Sequence, residues 1–148
     1  MMTSHDFISK YNHPGSIVLL LGKRSVLEAD RAKLLRLGEL LAAKAKHSVF
    51  RSGNAEGEDN YFSLGVSSVD YKRLEVIIPF NGHRKTMNKA YSTFSLDDID
   101  LLEEPEVIYK SRANKKTSKL VDYYALGNRD SYSMKASFII RDTLMVII

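Results

Sequence analysis

The sequence contains no cysteine. Disulfides, thiol catalysis and thiolate metal sites are therefore excluded, and a reducing cytoplasm is the natural setting. No apolar run approaches the roughly 20 residues needed to span a bilayer. The opening residues, Met1-Met2-Thr3-Ser4-His5-Asp6, lack the charged-then-apolar layout of a secretion signal. Histidine is sparse. His5, His13, His47 and His83 form no pair at ligand spacing, which argues against a metal site. Ser52 has no neighbouring base, so a nucleophilic serine fits poorly. No internal repeat or low-complexity tract interrupts the chain.

What is present points to one ordinary globular domain spanning residues 1–148. A chain of that length can bury a real core, and its composition (44% hydrophobic, 27% charged) is that of a folded protein. The net charge of +4 is mild: it permits an anionic partner without requiring one.

Residues up to Pro14-Gly15 read as a polar lead-in with one helical turn around Phe7 and Ile8. Ser16-Ile17-Val18-Leu19-Leu20-Leu21 is continuously apolar, the mark of a strand covered on both faces in a parallel sheet. Ser25 is a candidate N-cap. From there to about Lys46 runs an amphipathic helix, with Leu27, Leu34, Leu37, Leu41 and Ala45 on one stripe and Arg31, Lys33, Arg36, Glu39 and Lys44 elsewhere. His47 to Arg51 makes a second strand. A helix from Asn60 to about Ser67 follows, broken by Gly65 and the serines, and Leu74 to Pro79 is a third strand stopped by Pro79 and Asn81-Gly82. Strand and helix alternate, so the expected fold is α/β: a Rossmann-like parallel sheet flanked by helices.

Such sheets bind ligands beyond the carboxyl ends of their strands. Those ends carry Gly22-Lys23-Arg24, Arg51-Ser52-Gly53 and Phe80-Asn81-Gly82, three glycine-bearing turns at one edge. The middle one continues as Asn54-Ala55-Glu56-Gly57-Glu58-Asp59. Two glycines four apart let a backbone approach a ligand closely, and a helix opening just after them aims free N–H groups and a positive dipole end at the same point. The expected site is therefore a phosphate cradle. Backbone amides of Gly53 to Gly57 hold the anion, Lys23 or Arg24 supplies counter-charge, and Asp59 either caps the helix or hydrogen-bonds a ligand hydroxyl. His83, beside Arg84, lies at the same edge or is a solvent-exposed loop residue.

Beyond Arg84 an acidic stretch, 95–104, precedes a basic one, 109–119. Opposed charge blocks are commonly solvated faces or loops. Lys110, Arg112, Lys115, Lys116 and Lys119, flanked by Tyr109, Tyr123 and Tyr124, also suit single-stranded nucleic acid through phosphate contact and stacking. Arg141 is expected to pair with Asp142 or to face a ligand. Residues 131–148 read as helix at first and end in Leu144-Met145-Val146-Ile147-Ile148, either more helix or a buried strand, apolar residues that dock in the core or in a subunit interface unless the natural sequence continues. A homo-oligomer, most simply a dimer, is expected from that apolar surplus.

Gly22-Lys23-Arg24 resembles the G-S-R turn of the SLOG superfamily, and Arg51 to Asp59 resembles its R-S-G-G-A-x-G-x-D motif. Leu74 to Gly82 is similar to the E-I-x-L-P-W-x-G segment of its phage and DNA-processing-protein-A-like members. The likeness spans 16–84, is faint from Tyr123 to Asp142, and runs to the small phage-type members. It implies a Rossmann-like domain, here without the last part of the usual fold, that binds a nucleotide or nucleotide-derived ligand through Gly22, Lys23, Arg24, Arg51, Ser52, Gly53, Asn54, Gly57 and Asp59. It also implies two other functions: single-strand DNA binding in recombination, or a phage module acting on host machinery in the host cytoplasm. The pattern departs at Asn54, where the motif has glycine, and at Lys23, where it has a small residue. The P-G-G-x-G-T-x-x-E segment that carries the catalytic glutamate of the related nucleotide hydrolases has no counterpart, so hydrolysis does not carry over and no cofactor is implied.

Overall fold

A computed structural model describes all residues, Met1–Ile148. Six helices, α1 (Ser4–Tyr11), α2 (Glu28–Lys44), α3 (Glu58–Asp70), α4 (Pro105–Ser111), α5 (Ser118–Ala125) and α6 (Met134–Ile147), accompany four strands, β1 (Ile17–Leu20), β2 (Val49–Ser52), β3 (Leu74–Ile78) and β4 (Ser92–Ser95). The strands form one sheet in the order β1-β2-β3-β4, with β1–β2 and β2–β3 parallel. The expected α/β, Rossmann-like architecture is the observed one.

The chain divides into two compact units. The first is Met1–Val76 with Arg84–Thr93; the second is Ile77–His83 with Phe94–Ile148.

In the first unit the apolar runs behave as their patterning demands. Val18, Leu20, Phe50 and Leu74 bury against Leu41, Ala42 and Ala45 of α2 and Val66 of α3, with Phe7 and Ile8 of α1 packed on the same cluster. The parallel pairs need crossovers, which α2 and α3 supply, and the two helices pack closely on each other. Gly65 does not break α3, contrary to expectation. A Cβ on Gly65 would lie 3.1 Å from Gly38 Cα and overlap the carbonyl oxygen of Leu35, so glycine is what lets the helices meet backbone to backbone.

Three boundaries differ from the sequence reading. α1 is a full two-turn helix, fixed by a capping box in which Asp6 N–H donates to Thr3 Oγ1 (3.1 Å) and Thr3 N–H to Asp6 Oδ2 (2.9 Å). α2 starts at Glu28 with Leu27, not Ser25, at its N-cap; the Lys23 and Arg24 carbonyls just before Ser25 lie against Gly57. α3 starts at Glu58, two residues ahead of expectation. At the far end of α2, Arg73 donates to the carbonyls of Ala42, Ala45 (2.8 Å) and Ser48 (3.2 Å), meeting acceptors that a helix terminus leaves open.

In the second unit α6 packs on α4 and α5. It buries Ala136, Ile140, Leu144 and Met145, while Val146 and Ile148 remain exposed. Ser111 Oγ of α4 donates to Thr143 Oγ1 of α6 at 2.9 Å. The apolar C-terminal run is thus helix as far as Ile147, with one face covered within its own unit. No helix is long and apolar enough to cross a membrane.

Candidate functional site

β1 and β2 run parallel, so their carboxyl ends lie side by side, and Asp59 joins them. It is the second residue of α3 and is 3% exposed. Its Oδ1 accepts the N–H of Gly22 at 3.1 Å; its Oδ2 accepts the N–H of Gly53 at 3.3 Å and stands 3.5 Å from Ser52 Oγ. A buried carboxylate needs such donors. Asp59 therefore does not cap α3, as the sequence suggested. The helix is entered from Gly57 without a side-chain cap, because the carboxylate is turned onto the strand ends.

The same network uses amides that the sequence assigned to a ligand. Gly53 N–H goes to Asp59, Asn54 N–H goes to Ser52 Oγ (3.3 Å), and Glu58 N–H goes to the Lys23 carbonyl (3.0 Å). Gly57 has φ +84°, and a Cβ there would overlap the carbonyl oxygens of Lys23 and Arg24. Glycine is required at 57 twice over: for its left-handed backbone and for the close seat of the 23–24 peptide. Gly22 is exposed, and the Glu58 side chain fills the space a Cβ would take. Arg51 is buried and donates from Nε to Glu75 Oε1 (2.6 Å), its register partner on β3. Lys23 is exposed.

Next to this network lies a polar cavity of about 260 Å3, lined by Arg24, Val26, Arg31, Glu56, Gly57, Asn60, Tyr61 and Arg84. Three arginines line it, from the β1–α2 loop, the first turn of α2 and the segment after Gly82. The guanidinium of Arg31 stands 5.8 Å from the Tyr61 ring centroid. Arg84 Nη1 pairs with Glu56 Oε1 at 3.1 Å, and its Nε is buried with no hydrogen-bond partner.

Backbone conformation marks the same spot. Asn54 (φ 53°) and Arg84 (φ 46°) are the chain's two non-glycine residues with positive φ, and Asn54 Nδ2 donates to the Arg84 carbonyl at 3.3 Å. Residues held in sparsely populated conformations concentrate at functional sites. Asparagine tolerates that conformation better than most residues, which explains how it stands where the resembled motif has glycine.

Of the residues named from sequence, Gly22, Ser52, Gly53, Asn54, Gly57 and Asp59 come together in the network, and Arg24 and Gly57 also line the cavity. Val26, Arg31, Glu56, Asn60, Tyr61 and Arg84 were not among the site residues named. Arg31 looked like part of a solvated helix face, and helical phase alone cannot separate the two roles. The Phe80-Asn81-Gly82 turn belongs to the second unit, where Asn81 N–H donates to Asp97 Oδ2 (2.7 Å). His83 is not a solvent-exposed loop residue: its ring is half-buried, edge-on to Phe80 (5.1 Å) and Phe138 (5.6 Å). Arg141 is 4% exposed and donates to Asp142 Oδ1 at 2.7 Å, the pairing named as one alternative.

The basic run of the second unit splits across the end of α4, a loop and the start of α5. Tyr109, Lys110, Arg112, Ala113, Lys115 and Ser118 line a groove of about 620 Å3. Lys110 pairs with Glu106 (2.7 Å) and Arg112 with Asp122 (2.8 Å), whereas Lys115, Lys116 and Lys119 are exposed without a carboxylate partner. No cluster of three or more His, Asp or Glu side chains is placed to hold a metal ion.

No protein family matches the chain, and neither a curated protein nor a solved structure matches it.

Proposed function

We propose that the protein is a Rossmann-like binding module of the SLOG type that takes a phosphate-bearing ligand, a nucleotide or nucleotide derivative, at the carboxyl edge of β1 and β2. The observation that carries the reading is the cavity where Arg24, Arg31 and Arg84 converge beside the Asn54–Arg84 pair. Arginine forks match phosphate oxygens bidentately. In this reading the Gly53-Asn54 turn and Asp59 build the frame, and the guanidinium groups hold the anion. Gly22 and Gly57 let the loops close, and Lys23, exposed at the rim, adds long-range charge. Binding without turnover is the activity proposed.

The test is a thermal-shift screen against mononucleotides, dinucleotides and cyclic nucleotides. A ligand that binds only the folded state raises Tm, by about 2.7 kcal/mol of stabilisation at a hundredfold excess over Kd. Arg31→Gln should abolish the shift in a protein that still folds. A shift retained in that variant would move the site elsewhere.

One observation favours a second reading, single-stranded nucleic acid binding. Tyr109 is 77% exposed beside a groove bearing Lys110, Arg112 and Lys115, with Lys116 and Lys119 nearby in sequence. Steep salt dependence, lost when Lys115, Lys116 and Lys119 are neutralised, would support it. Assembly into a homo-oligomer belongs to the proposal as well. The exposed Val146 and Ile148 support it, and light scattering at tens of micromolar decides it. A phage protein-interaction module acting on host machinery, its ligand edge vestigial, is the remaining alternative and predicts no ligand shift at all.

A further inference from the structure

The cavity already holds an anion of its own. Glu56 sits at the tip of the loop between β2 and α3, its side chain 73% exposed, and its carboxylate reaches Arg84 Nη1 at 3.1 Å. Arg84 is the more enclosed partner, with a side chain 20% exposed. Three arginines and a single carboxylate residue line the cavity. An ion pair this exposed holds weakly. An incoming phosphate offers several oxygens to more than one fork and forms stronger, charge-assisted bonds. The volume, about 260 Å3, falls below the roughly 300–1,000 Å3 of pockets that enclose a whole small molecule. It suits the phosphate end of a ligand, with the remainder outside.

Resting on the reading of this cavity as an anion site, we propose that its ligand is a terminal phosphate dianion, that of a phosphate monoester, and that Glu56 is the resident counter-ion it displaces from Arg84. Two features of the site fit that exchange. Arg84 Nε is buried and lacks a hydrogen-bond partner, so the pair with Glu56 leaves this guanidinium incompletely satisfied. The Asn54–Arg84 hydrogen bond holds the Arg84 backbone, so Glu56 is the partner free to leave. A phosphodiester carries one charge and two non-bridging oxygens, against two charges and three oxygens in the monoester dianion, and so competes poorly with the carboxylate.

Calorimetric titrations of the wild-type protein, Glu56→Gln and Arg31→Gln with inorganic phosphate, AMP and 3′,5′-cyclic AMP at fixed low salt test this, with circular dichroism confirming the fold of each variant. Expected are binding of phosphate and AMP, weaker binding of cyclic AMP, and an affinity for AMP raised about fivefold by Glu56→Gln, the change equivalent to an exposed pair at its upper strength. Arg31→Gln should weaken AMP. Binding seen only in Glu56→Gln also supports the counter-ion role. Unchanged or weaker AMP affinity in Glu56→Gln, with wild-type binding intact, overturns that role and leaves the anion site standing. Equal affinity for AMP and cyclic AMP overturns the monoester assignment. Absence of binding in wild type and Glu56→Gln alike overturns the anion site itself, and both proposals with it.

Discussion

Gly38 of α2 and Gly65 of α3 meet with almost no side chain between them: a Cβ on Gly38 would stand 2.5 Å from Phe62 O, and one on Gly65 would stand 2.9 Å from Glu39 N. Neither neighbour is a flexible side-chain end. Gly65→Ala must therefore push the helices apart, at a cost of about 1–3 kcal/mol that outweighs the gain of up to about 1 kcal/mol from better helix propensity. A urea midpoint equal to or above that of the wild type would refute the contact. Gly38→Ala should behave alike.

Asp59 should be the most sensitive polar position of the strand ends. Asp59→Ala strands the Gly53 amide in a buried site and frees the ends of β1 and β2, for a loss of about 3 kcal/mol, the scale of hydrogen bonds to a charged group. Asp59→Asn should recover little, because rotating the amide leaves an NH2 group facing either the Gly22 or the Gly53 donor. Full recovery by asparagine in chemical denaturation would show that charge and acceptor count do not matter here.

Tyr124 points the other way. Its hydroxyl is buried without a hydrogen-bond partner, and burial pushes its pKa up, opposed by the Arg129 charge and helped by that of Asp97. Arg129 covers the ring at 3.6 Å and donates to the Tyr124 carbonyl at 2.7 Å, and both contacts survive loss of the hydroxyl. Tyr124→Phe should leave stability unchanged or raise it, by up to about 1 kcal/mol. A fall of that size in calorimetry would mean the hydroxyl has a partner in solution.

Acid should weaken the first unit through Asp70. The hydrogen bond from Arg73 Nε, at 2.9 Å, is the main cause that holds its carboxyl below the ordinary aspartate value. A carboxyl depressed in the folded state contributes stability above the unfolded value, near pH 4, and loses it as the pH falls through the folded one. Asp70→Asn should accordingly flatten the decline of stability below about pH 4. An unchanged slope in acid titration followed by fluorescence would exclude the link.

The three parallel strands were legible from their apolar residues, continuous in the first and interrupted only by polar positions such as Glu75 in the others, and the observed cores, Ile17–Leu20, Val49–Ser52 and Leu74–Ile78, fall inside or within a residue of the ranges read. β4 was not. Its residues, Ser92-Thr93-Phe94-Ser95, lie at the end of the strand order and only Ser95 is buried, so no hydrophobic signal marks it. Gly65 misled for the opposite reason: local propensity counts a mid-helix glycine as a break, whereas packing against Gly38 makes it an advantage. At the candidate site, the turns at Gly22 and Gly53 could be read locally. The carboxylate that ties them together, and the arginines at 24, 31 and 84, converge only in three dimensions.

The Asp59 junction also has a consequence in time. Gly22 and Asp59 are 37 residues apart, and between them the chain must complete β1, α2, β2 and the entry to α3. We predict that their bond closes only after both neighbouring strands are paired and the third helix has begun to dock. An interaction absent from the transition state does little to the folding rate and raises the barrier to unfolding. Asp59 is then a determinant of native-state lifetime: its removal should steepen loss to proteolysis under conditions governed by the unfolding rate, and shift the unfolding arm of a chevron plot while leaving the folding arm in place.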